Sequence, residues 1–143
     1  MDYEEYEKLS EKEIERNEQF LEMFQKHLES KGLTKKTINR HMFNVDYYIN
    51  TYLMREDIIP MEQGPDHISM FLGYYFIRKC MWSTPGSIKT YAASLKKFYG
   101  LMAEKGFISK KDYDLMLLII KEEMDVWQYD CSVYNDGGSP FFY

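Results

Sequence analysis

The sequence predicts an all-α fold, a compact bundle of four to five helices. Three observations predict it. Apolar residues recur at three- and four-residue intervals in five separate stretches, small polar residues or Gly and Pro punctuate the gaps, and no strand-like alternation competes. The chain has 143 residues, 45% of them apolar and 17% aromatic, enough for the core of one domain.

The first helix is expected over about 11–30, with Ile14, Phe20, Leu21, Phe24 and Leu28 at helical spacing. Lys31-Gly32 ends it, because glycine suits the left-handed position after a helix. Thr34 then caps a second helix to about residue 54, with a stripe of Ile38, Met42, Val45, Ile49 and Tyr52-Leu53. A loop holds Pro60, Gly64 and Pro65. The third helix, about 66–81, is apolar on most sides (Ile68, Phe71, Leu72, Tyr75, Phe76) and so belongs at the centre. Thr84-Pro85 reads as a cap with proline in the first turn of a fourth helix to about 104. Lys105-Gly106 closes that helix, and Ser109 caps a fifth to about 127, built on Tyr113, Leu117, Ile120 and Met124. The expected organisation is an acidic extension over 1–18, a helical domain over 19–128 and an irregular tail over 129–143. The aromatic end, Phe141-Phe142-Tyr143, is unusual for a tail.

The net charge of −5 opposes nucleic-acid binding at first sight, but its distribution does not. Residues 1–18 hold eight acids and three bases, which is the whole net charge. Four bases and no acid lie between Lys31 and Arg40, and five bases and no acid between Arg78 and Lys97. Residues 112–136 carry seven acids and one base.

Catalytic and cofactor chemistry finds no support. His27, His41 and His67 lie on different elements and form no metal-ligand spacing, and His41 reads as a half-buried core residue. Cys80 and Cys131 show no CxxC pattern and read as reduced thiols in a cytoplasmic protein. No phosphate-binding glycine loop occurs, and no run of 18 apolar residues predicts a membrane span. No cofactor, metal or small-molecule substrate is expected.

The positive signal is two basic helix starts. On the second helix Lys36, Arg40 and Asn44 follow one another at four-residue spacing, with Lys35 and Asn39 beside them. On the fourth, Thr90, Ser94 and Lys97 form one row, adjoined by Lys89, Ala93 and Lys96. The hydroxyls of Thr34, Thr37 and Ser87, with the N–H groups of each helix start, suit phosphate oxygens. Asn39, Arg40 and Asn44 could read base edges from a groove.

Ordered segments then add a resemblance. Phe20-Leu21-Glu22-Met23-Phe24 resembles the opening helix of the N-terminal, SAM-like core-binding domain of tyrosine recombinases, the phage integrase family. Gly32-Leu33-Thr34-Lys35-Lys36-Thr37-Ile38 is similar to that family's G-L-S-x-x-T-I, and Tyr47-Tyr48-Ile49 with Leu53 follows at fitting spacing. Asp66-His67-Ile68-Ser69-Met70-Phe71-Leu72, then Ser87-Ile88-Lys89-Thr90-Tyr91 through Leu95-Lys96-Lys97-Phe98-Tyr99, then Gly106-Phe107-Ile108, continue the likeness over about 19–108. The resemblance implies a SAM-like helical bundle that contacts duplex DNA through Thr34, Lys35, Lys36, Thr37 and Arg40 and through Ser87, Lys89, Thr90 and Lys97. It also implies a recombinase catalytic partner or self-association. The family's catalytic arginine, lysine, H-x-x-R pair and nucleophilic tyrosine belong to a further domain, and none of the three histidines here has arginine three positions on. A non-catalytic DNA-binding domain is therefore expected. The alternative is a helical protein–protein module that kept the fold and lost DNA binding.

Overall fold

The computed structural model describes residues 2–137. Among them there are five long helical stretches, a short 3-10 helix and no strand, the all-α fold that the sequence predicts. They divide into two compact units, one up to Gly64 and one from Pro65.

The first unit begins earlier than the periodicity suggests. Helix α1 spans Tyr3–Ser30, so the acidic stretch expected as an extension is its first half. The reason is local. Asp2 caps the helix by accepting the Glu5 N–H at 2.9 Å, and Glu4 and Glu5 sit in the first turn, where the helix dipole favours negative charge. Tyr6 then fastens this end by donating its hydroxyl to the Met54 carbonyl. Gly32, at φ 73°, ends α1 in the left-handed conformation.

Helix α2 (Lys35–Asp46) starts at its Thr34 cap and runs on into a wider π-helical stretch, Tyr47–Tyr52. The Leu53 N–H reaches the Tyr48 carbonyl at 3.0 Å, the five-residue bond of such a turn. Tyr48 and Tyr52 stack at 5.4 Å and are fully buried with Phe24, Leu28, Val45 and Ile49. Full burial of each such side chain contributes about 1.5–3 kcal/mol. Asn17, buried inside α1, donates to the Ile49 carbonyl and to Asn50 Oδ1 at 3.3 and 2.8 Å. His41 is 3% exposed, deeper than the half-buried position expected.

The expected loop before the third helix is a 3-10 helix, Met61–His67. The third helix is then continuous but uneven: α3 (Ile68–Met70), a π stretch Phe71–Tyr75, and α4 (Phe76–Lys79). Its Phe71 and Phe76 rings both meet Tyr91 edge-on at 5.1 Å, which places this helix at the core of the second unit.

Helix α5 (Pro85–Glu104) begins with a capping box. The Thr84 hydroxyl accepts the Ser87 N–H at 3.0 Å, and the Ser87 hydroxyl accepts the Thr84 N–H at 2.7 Å. It ends in a Schellman motif at Gly106, φ 82°, with the Phe107 N–H on the Met102 carbonyl at 2.9 Å. Helix α6 (Lys110–Asn135) runs eight residues beyond the expected end, so residues 129–135 are helical rather than part of an irregular tail. Tertiary contacts explain the extension. Cys131 is fully buried, Gln128 donates to the Pro85 carbonyl, and Asn135 donates to the Ser83 carbonyl, both at 2.8 Å. The indole of Trp127 packs against Gly73, where an added Cβ would come within 2.7 Å. The Phe141-Phe142-Tyr143 end lies outside the described residues.

Candidate nucleic-acid interface

At the start of α2 the cap leaves two first-turn amides without an intrahelical acceptor. The Thr34 hydroxyl takes the Thr37 N–H at 3.2 Å and the Thr34 carbonyl takes the Ile38 N–H at 2.9 Å. The Lys35 and Lys36 amides have no such intrahelical acceptor, which is the general condition of a first turn. Lys35, Lys36, Asn39 and Arg40 are all exposed around them, and Thr34 with them. Thr37 is half-buried, and its hydroxyl accepts that of Thr34 at 3.0 Å. Asn44 does not belong to this surface, being only 7% exposed. Each four-residue step advances about 40° around an α-helix. Two steps from Lys36 therefore carry Asn44 towards the core, beside buried His41, Val45 and Tyr48.

The start of α5 is built differently. Pro85 has no N–H to offer, and the Ser87 amide and hydroxyl are both engaged by Thr84. The Ser87 hydroxyl is further turned to the Trp82 and Thr84 carbonyls at 3.2 and 3.0 Å. Thr90 donates to the Gly86 carbonyl at 3.1 Å and Ser94 to the Thr90 carbonyl at 3.3 Å, back-bonds within the helix. Ser94 is completely buried among Tyr91, Leu95 and Phe98, so it too leaves the expected surface. What α5 exposes is cationic: Lys89, Lys96 and Lys97.

Lys89 and Lys96 line a cleft of about 390 Å³ with Leu117, Ile120, Lys121 and Met124 of α6. Lys121 is absent from the sequence-based set. Its signal was nevertheless present, as the one base among the seven acids of residues 112–136. Among the described residues the ion pairs are Arg16 with Glu13 and Glu62, Lys26 with Glu22, and Lys110 with Asp114. None uses Lys35, Lys36, Arg40, Lys89, Lys96 or Lys97. These cations stand exposed without a carboxylate partner in a chain of net charge −5.

An all-helical domain with uncommitted basic helix starts is the class these features define. The sequence pattern of the phage integrase N-terminal SAM-like domain matches residues 20–106, well over half the chain. The chain belongs to that family and is a recombinase-related domain. The matched region is the SAM-like domain and not the catalytic one. Comparisons with curated proteins and with solved structures found no match. No helix among the described residues is long and apolar enough to cross a membrane.

Proposed function

We propose that this chain is a non-catalytic DNA-binding domain that grips duplex DNA through the starts of α2 and α5. The observation that carries this reading is the set of exposed cations left without ion-pair partners, on a fold whose family serves site-specific recombination. At α2, Lys35, Lys36 and Arg40 with the two first-turn amides take phosphate oxygens, Thr34 and Thr37 support them, and Asn39 borders the groove. At α5 the work falls to Lys89 and Lys97, with Lys96 and Lys121 alongside. Ser87 and Thr90 position the helix rather than touch the nucleic acid. Duplex DNA is the main partner, a recombinase catalytic domain is a second, and the cytoplasm is the setting.

About five phosphate contacts give a slope of roughly −4.5 in log affinity against log salt. Fluorescence anisotropy of a labelled duplex checks this. Replacing Lys36, Arg40 and Lys89 together by Glu is expected to abolish binding at low salt. Unchanged affinity would remove the proposed surface.

One observation favours a second reading, a protein-docking module. Leu115, Leu118, Val126 and Tyr129 are all exposed on α6, each about half or more. Self-association detected by sedimentation in the absence of DNA, and lost on replacing Leu118 and Val126 by Ser, would favour it.

A further inference from the structure

The turn between α4 and α5 carries an apolar tip. The Ser83 N–H bonds to the Cys80 carbonyl at 3.1 Å, which makes Met81 and Trp82 the two central residues of a β-turn. Such positions ordinarily hold Gly, Pro, Asn, Asp or Ser, for reasons of backbone geometry and solvation. Here Met81 is 100% exposed and Trp82 47% exposed. Nothing about the turn itself calls for two large apolar side chains.

The tip is held firmly from both sides. Ser83 is buried, donates to the Ile77 carbonyl at 3.2 Å and receives Asn135 on its own carbonyl at 2.8 Å. The Trp82 ring stands edge-on to buried Phe76 at 6.3 Å, and its carbonyl meets the Ser87 hydroxyl in the first turn of α5. A projecting group fixed in this way loses little conformational freedom on meeting a partner.

Its surroundings are cationic. Arg78, Lys79 and Met81 line one cleft of about 300 Å³, where Arg78 is itself held over the Tyr74 ring at 4.3 Å. Lys89 follows on α5, and no acid occurs in the chain between Arg78 and Lys97. From α6 the same cleft receives Tyr134 and Asn135, with Asp136 next in sequence. Two cations of that cleft, Arg78 and Lys79, thus lie beside the tip. A hydrophobic protein partner would not call for these cations. A nucleic acid supplies both halves of the match, phosphates for the cations and base faces for the apolar tip.

We propose that Met81 and Trp82 form a wedge that enters an opened base step of the DNA held by the start of α5, with a preference for duplexes whose stacking is already weakened. The inference rests on the DNA-binding reading above and names the form of DNA it selects. Unstacking an intact step opposes insertion, so a site opened in advance binds more tightly.

The test uses the whole chain and two labelled 20-base-pair duplexes, one fully paired and one with two adjacent central mismatches. Anisotropy titrations at low salt are expected to show about tenfold tighter binding to the mismatched duplex. Trp82 fluorescence should be quenched on binding it, while Trp127, 3% exposed, stays protected. A double variant, Met81→Ser with Trp82→Ser, keeps residues that suit the turn and should fold, as circular dichroism will verify. It should bind the paired duplex within about twofold of the unaltered chain and lose the preference. Equal affinity of the unaltered chain for both duplexes, or a preference that survives in the double variant, overturns the wedge while leaving DNA binding standing. Failure of the unaltered chain to bind either duplex overturns both.

Discussion

The starts of α2 and α5 look alike in sequence and differ in what they leave for a ligand. Both follow a threonine cap, and both carry lysines within five residues of it. At α2 the cap consumes one amide and leaves those of Lys35 and Lys36 without an intrahelical acceptor, with the Lys35, Lys36 and Arg40 side chains exposed. At α5, proline removes one amide and the Thr84–Ser87 box occupies the hydroxyls. The same pattern of small polar and basic residues therefore leaves two amides without an acceptor at one helix start and commits its polar groups to capping at the other. The lesson is that capping chemistry and phosphate-binding chemistry draw on the same groups. A hydroxyl committed to one is withdrawn from the other.

The largest expected effect splits the two starts. Replacing Lys35, Lys36 and Arg40 by Glu should weaken duplex binding by roughly a hundredfold at low salt and flatten the salt slope by about three units. Replacing Lys89 and Lys97 by Glu should cost about tenfold and flatten it by about two. Anisotropy titrations over a salt series measure both. Equal losses per replaced cation in the two sets would mean that the first-turn amides of α2 add nothing to its cations, and the contrast would fall.

A smaller effect sharpens the reading of α5. Ser87→Ala removes half of a capping box and should lower unfolding stability by about 1 kcal/mol. The affinity of the folded protein for DNA should not change. Chemical denaturation paired with a titration separates the two. A variant that melts normally but binds weakly would return Ser87 to the contact surface.

How far these differences were legible in the sequence depends on which forces set them. The caps and stops were readable, because Thr34, Thr84, Ser109, Gly32 and Gly106 act through local bonds. The cationic stretches were readable too, since charge runs survive folding. Asn44 and Ser94 were misplaced because residue spacing alone does not register the slow rotation of a four-residue row towards the core. The π turns at Tyr47–Tyr52 and Phe71–Tyr75 left no periodic signature, since one extra residue in a turn barely disturbs the spacing of apolar residues. The full lengths of α1 and α6 rested partly on distant contacts, from Tyr6 to Met54 and from Gln128 and Asn135 to Pro85 and Ser83. Such long-range partners are invisible to a local window.

An ion pair in the first unit yields the smallest effect. In the first unit Arg16 pairs with Glu62 through two hydrogen bonds, one of 3.0 Å. The Glu62 hydrogen bond, with its charge, holds the Arg16 guanidinium above its ordinary pKa. Burial alone would push the Glu62 carboxyl up, but the Arg16 bond, a backbone bond and the Arg16 charge outweigh it and leave the carboxyl below its ordinary range. In the second unit Gln128 and Asn135 bond backbone carbonyls from neutral side chains, and the Ser69 hydroxyl donates to a Glu123 carboxylate oxygen at 2.6 Å. A carboxylate with a depressed folded pKa stabilises above its unfolded pKa, and that stability is lost as pH falls through the folded value. Both side chains are about a third exposed, so solvent screening keeps the contribution under about 1 kcal/mol. Glu62→Gln should accordingly lower the melting temperature slightly at neutral pH, and the difference should vanish below the carboxylate range. A difference that persisted unchanged into acid would show that Glu62 acts by packing rather than by charge.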